Sequence, residues 1–195
     1  MKKNKKPEKQ TAEKPVASIP YVKIVLCLFF ICTICAGLLG ATFLLTKDPI
    51  AANEKATIES ALKRIYGDKA VLDDEAVPVP EGQNVEAIYL LRNPDGALAG
   101  YAVRVLSAGF SADIDMIVGF DADSSIRKVE IIALSETAGL GSRVAEEEYL
   151  TQYVGTSGEL VLKEDIDAIS GATKSSKAVI NGVNAATRCL AALGV

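Results

Sequence analysis

Val85-Glu86-Ala87-Ile88-Tyr89-Leu90-Leu91-Arg92, then Asn93-Pro94-Asp95-Gly96, then Ala97-Leu98-Ala99-Gly100-Tyr101-Ala102-Val103-Arg104-Val105-Leu106: two runs rich in branched and aromatic residues are separated by four residues that each favour a turn. Residues 85–92 and 98–106 therefore read as strands of a hairpin. Residues 114–120 and 126–134 repeat the arrangement around Asp121-Ala122-Asp123-Ser124-Ser125. An antiparallel sheet of about four strands is the expectation. After it the pattern breaks at residues 135–143, a loop with two glycines, and becomes helical through residues 144–153. A short strand is expected at residues 159–163. Val179, Val183, Ala186 and Leu190 share one helical face, so the chain closes with a core-packed helix starting near Lys174. Helices flanking one antiparallel sheet make the class α+β.

Upstream of the sheet, Asp48-Pro49 reads as a helix cap followed by proline at the first helical position. Ile58, Leu62 and Ile65 then recur at helical spacing, and Gly67 closes that helix. Further back, Ile24 to Leu45 is an apolar run of 22 residues, which as a helix would extend roughly 33 Å, enough for a hydrocarbon core of about 30 Å. Seven lysines (Lys2, Lys3, Lys5, Lys6, Lys9, Lys14, Lys23) lie before or at its edge against Glu8 and Glu13, whereas Lys47 and Asp48 follow it. The positive-inside rule puts the N-terminus in the cytoplasm. The run is longer than a signal-peptide core, so an uncleaved anchor is expected. The layout is a flexible basic cytoplasmic tail over residues 1–20, a transmembrane anchor over 21–45, and one extracytoplasmic domain over 46–195.

Charge divides along the same line: residues 1–46 carry seven lysines and two glutamates, for +5, and the remaining 14 basic and 23 acidic residues give −9. An acidic outer domain argues against nucleic acid as a partner. Histidine is absent, which removes the usual general base, Ser-His-Asp triads and imidazole metal ligands, so hydrolysis is not expected. Cys27, Cys32 and Cys35 fall in the apolar run and Cys189 stands alone, so neither a disulfide framework nor a metal site is expected.

Two segments carry possible chemistry. Ser170-Gly171-Ala172-Thr173-Lys174-Ser175-Ser176 places four hydroxyls and small residues where a tight turn enters a long helix. Free amides at such a start favour an anion, and Gly171 and Ala172 let a large group approach the backbone. Ser170 or Thr173 simply capping the helix is the alternative. The spacing is not that of a P-loop. The second segment, Glu136-Thr137-Ala138-Gly139-Leu140-Gly141, is a strand-to-helix loop that would serve as a site wall, or else a surface turn with Glu136 solvated.

Asp167-Ala168-Ile169-Ser170-Gly171-Ala172-Thr173 resembles the D-x-x-S/T-G-A-T flavinylation motif of the FMN-binding domain family. That resemblance implies FMN joined through a phosphoester to the Thr173 hydroxyl, with Ser170, Gly171, Ala172, Ser175 and Ser176 around it. It also implies that Asp167, with Ser170, Gly171 and Ala172, is recognised by a dedicated flavin transferase. Glu136 to Gly141 resembles the E-T-P-G-L-G loop of the same family, with Ala138 where proline is usual; Glu136, Thr137, Gly139 and Leu140 become candidate flavin contacts. The whole layout resembles the electron-carrying FMN subunit of a membrane-bound, ion-translocating ferredoxin:NAD oxidoreductase complex, whose other subunits would be its partners. Such a chain is not expected to turn over a substrate alone. Another extracytoplasmic reductase or quinone oxidoreductase chain, or a non-redox binding or sensory module, remain the alternatives.

Overall fold

The computed structural model describes residues 21–68, 71–72, 79 and 84–194. The expected tail over residues 1–20 lies outside them. Two compact units divide near residue 50.

The first unit holds the start of α1, Tyr21–Tyr66. Its apolar part has a mean hydropathy of 2.7 over 18 residues, with none of that window buried by the protein. A helix so apolar and so uncovered fits a lipid surround. The cap expected at Asp48-Pro49 is overturned, because α1 continues through Pro49 as an interior residue. Proline there loses one backbone hydrogen bond. The remaining backbone ladder carries the helix across it. Gly67 ends α1 as expected, at φ +81° with its amide on the Lys63 carbonyl at 2.8 Å.

The second unit is built on five antiparallel strands in sequential order: β1 Val71–Leu72, β2 Val85–Arg92, β3 Leu98–Ala108, β4 Asp113–Phe120 and β5 Ile126–Ala133. Both hairpins read from the sequence are present. Asn93 and Ala97 close the first, with Gly96 at φ +83°. Asp121 and Ser125 close the second. The two-residue β1 is an additional edge strand that its length hides from pattern reading.

Every residue of β4 from Ile114 to Phe120 is buried, because the sheet is covered on both faces and alternation disappears. On one face Ile114, Met116, Val118 and Phe120 meet α3, Thr173–Leu193, through Val179, Val183, Ala186 and Leu190. Burying each such aliphatic side chain contributes about 1.5–3 kcal/mol before the entropy cost. Gly182 lets α3 sit close to the sheet, since a Cβ there would come within 2.9 Å of the Met116 methyl. On the other face Ala61, Leu62 and Ile65 of α1 pack on Leu91, Ala102 and Ile117.

Two expectations fail between β5 and α3. The helix expected over residues 144–153 is broken into a 3-10 turn at Gly141–Ala145, a single α-turn α2 at Glu147–Leu150 and a second 3-10 turn at Thr151–Tyr153. Glu146 is extended, at φ −68° and ψ 138°, and so interrupts the helix. The strand expected over residues 159–163 does not form; an isolated bridge joins Leu162 to Ile166. Its Leu160 instead pairs its amide and carbonyl with the Asn184 side chain of α3, at 2.9 and 2.8 Å. An amide side chain thus satisfies the backbone that a neighbouring strand would otherwise satisfy.

Candidate functional site

α3 begins without a side-chain cap. Ala172 occupies the cap position at φ −120° and ψ 33°, and no side chain bonds the first amides. Capping by Ser170 or Thr173 is therefore overturned. The first closing bond runs from the Ser176 amide to the Ala172 carbonyl at 2.9 Å, leaving the Thr173, Lys174 and Ser175 amides open at the positive end of the helix dipole. Thr173 is exposed beside them, as are Ser170 and Gly171, while Ala172 is buried. Gly171 has φ +80°, and a Cβ there would lie 3.0 Å from Leu140 Cδ1. The backbone conformation favours glycine, and a Cβ there would also push Leu140 aside.

The buried hydroxyls serve the scaffold. Ser176 Oγ donates to the Ala172 carbonyl and accepts from the Ile169 amide, at 3.1 Å each. Ser175 Oγ donates to Glu136 Oε2 at 2.8 Å. Asp167 lies exposed before the turn, its amide donating to Gln152 Oε1 at 2.8 Å.

Glu136 brings three segments together. Its Oε1 accepts from the amides of Phe110 and Ser111, at 2.6 and 3.2 Å, in the turn between β3 and β4. Its Oε2 takes the Ser175 hydroxyl. Burial alone would raise this carboxyl, but the bonds from Ser175, Phe110 and Ser111, helped by the Lys174 charge, together hold it below the usual carboxylate range. Gly109 and Gly141 give it room: a Cβ would come within 2.3 Å of Oε1 at the first and 2.7 Å of Oε2 at the second. Glu136 is thus part of the frame rather than a solvated surface group.

The loop is further closed by the Leu140 and Ser142 amides on the Thr137 carbonyl and by the Gly139 amide on Ser142 Oγ at 2.9 Å. Gly139 adopts φ +74°. Leu140 projects outward, 42% exposed, towards the start of α3. Sequence reading did not single out Phe110, which is 63% exposed. The Lys174 ammonium lies 5.2 Å above the Phe110 ring. A lone aromatic in the Gly109-Phe110-Ser111 turn was the only signal the sequence offered.

Phe110, Glu136, Leu140, Gly171 and Lys174 line a cavity of about 80 Å³. It is too small to enclose a tricyclic ring; Phe110 and Leu140, both exposed at its rim, are the apolar side chains that would hold one. A phosphate at Thr173 would meet open amides. Polar donors at one end and exposed apolar side chains at the other suit FMN.

Comparison with known proteins agrees. Residues 109–188 match the model of the FMN-binding domain, and residues 21–65 match the RnfG N-terminal region. The G subunit of the Na(+)-translocating ferredoxin:NAD(+) oxidoreductase complex of Acetobacterium woodii is 29% identical over 184 residues, covering 83% of this chain and 87% of that one. The G subunit of the ion-translocating oxidoreductase complex of Haemophilus influenzae is 28% identical over 171 residues, covering 78% and 81%. The crystal structure of Shewanella oneidensis NqrC overlaps in part, with 21% identity and a TM-score of 0.45 over 60% of this chain and 64% of that one. Fold and site define an FMN-binding domain preceded by an apolar anchor helix. Within that class, the chain is similar over most of its length to the G subunits of ion-translocating oxidoreductase complexes, and its anchor helix matches the RnfG N-terminal region.

Proposed function

We propose that this chain is the electron-carrying subunit of a membrane-bound ion-translocating ferredoxin:NAD oxidoreductase complex, and that it holds FMN covalently through a phosphoester to Thr173. The observation that carries the reading is the exposed Thr173 hydroxyl at the open first turn of α3, inside the segment matched by the FMN-binding domain. The matched relatives are themselves named as G subunits, one of a Na(+)-translocating ferredoxin:NAD(+) oxidoreductase complex and one of an ion-translocating oxidoreductase complex. That similarity supports the other subunits as partners and disfavours a non-redox sensory module.

Bound FMN supplies electron transfer in one- or two-electron steps. The chain's own residues do the rest. The open amides of Thr173, Lys174 and Ser175 orient the phosphate, and Gly171 clears the approach to it. Leu140 and Phe110 would offer the ring an apolar seat, and Glu136 ties the segments that carry them to α3 through Ser175. Asp167 and Ser170, exposed ahead of Thr173, remain accessible to a flavin transferase. The anchor keeps the site at the membrane, with the FMN domain on the extracytoplasmic side. It carries no acidic or basic side chain between Ile24 and Leu45, which favours ion movement through other subunits.

Co-expression with a flavin transferase tests the attachment. The full chain should give a fluorescent band that survives SDS denaturation, and Thr173→Ala should lose it. A wild-type band without flavin would defeat the proposal.

A further inference from the structure

The cavity beside Thr173 contains a cation that neither the motifs nor the frame accounts for. Lys174 is the second residue of α3, where the helix dipole disfavours positive charge. Among the described residues it makes no ion pair. Glu136 is close enough for its charge to be felt, yet both Glu136 oxygens are committed to Phe110, Ser111 and Ser175. The Lys174 ammonium is instead drawn over the Phe110 ring at 5.2 Å. An exposed cation whose neighbouring carboxylate already accepts three other hydrogen bonds is available to an anion.

We propose that Lys174, braced on Phe110, sets a positive charge at the rim of the isoalloxazine ring of an FMN carried on Thr173, and so raises its reduction potential. This inference rests on the reading of Thr173 as the attachment residue. The phosphate already has its own donors in the open amides of the first turn of α3. Lys174 reaches away from that turn to Phe110, which with the exposed Leu140 frames the cavity where the ring would rest. The ring gains negative charge when the complex's electron donor reduces it, and a nearby cation favours that reduced form. Because Phe110 and Leu140 are exposed, the effect is screened by salt.

The test uses the full chain, co-expressed with a flavin transferase and purified in detergent. Covalent flavin is measured first by in-gel fluorescence, and the midpoint potential is then measured by spectroelectrochemical titration at low and high salt. Lys174→Gln should keep its flavin and shift to a lower potential, Lys174→Glu should shift further, and Lys174→Arg should stay near wild type. The differences should shrink at high salt. Phe110→Leu lies outside the attachment motif and should also lower the potential, by less, because the ammonium loses its brace. Equal potentials in wild type, Lys174→Gln and Phe110→Leu would overturn the inference while leaving the attachment intact. Loss of flavin in Lys174→Gln but not in Lys174→Arg would assign the lysine to phosphate attachment and overturn it as well. A wild-type chain without covalent flavin would fail the reading of Thr173 itself.

Discussion

At Glu136 one carboxylate receives hydrogen bonds from Phe110, Ser111 and Ser175, three residues in two segments distant from its own. Glu136→Ala leaves those donors without their partner and should cost about 1–3 kcal/mol of stability, read from chemical denaturation. The pH dependence has a definite sign. Because the folded carboxyl is held below its usual range, its contribution is complete above the ordinary carboxylate pKa. It is lost as pH falls through the lowered folded value. Melting temperature followed from neutral to acid pH should therefore fall less steeply in Glu136→Ala than in wild type. A parallel fall in the two would contradict the role given to this residue. At this scale the sequence was informative wherever a motif names residues in order. Gly171 and Leu140, which the structure brings together, were legible because their spacing along the chain is itself the signal. Phe110 and the Lys174 contact were not, since they are brought together only when the β3–β4 turn folds back over the start of α3.

Strands and helices were legible to the extent that their pattern is local. The two hairpins follow from branched runs and from Asn93-Pro94-Asp95-Gly96 and Asp121 to Ser125, and α3 follows from Val179, Val183, Ala186 and Leu190. Where a distant partner decides, local pattern misleads. Leu160 turns to Asn184 rather than to a strand, and Glu146 stays extended within an otherwise helical composition. Tyr66, the last residue of α1, shows the same dependence in a favourable sense. Its hydroxyl accepts from the Phe120 amide at 3.0 Å and contacts the Tyr101 and Phe120 carbonyls, while its ring covers Gly100 and Gly119. Burial, the leading cause, raises its pKa. Tyr66→Phe should leave the Phe120 amide short of an acceptor and cost about 1–3 kcal/mol, with flavin content unchanged. An unaltered denaturation midpoint would show that Tyr66 is not what fastens α1 to the sheet.

For the whole molecule, composition and function divide at the same point in the chain. The helix long and apolar enough to cross a membrane lies at the start, and the segment matched by the FMN-binding domain lies in the acidic part. The full chain should therefore remain in the membrane pellet after alkaline carbonate extraction, and a reporter fused to its C-terminus should be active only outside the cytoplasm. Release into the supernatant, or a reporter active only in the cytoplasm, would contradict the proposed anchoring or orientation. The central claim is the bond that keeps the cofactor on this chain. Its most direct test is intact-protein mass spectrometry with peptide mapping of the chain matured by a flavin transferase. The added mass should be one FMN less one water, located on the peptide that contains Thr173 and absent from Thr173→Ala. An unmodified mass, or the same increment on another residue, would contradict it.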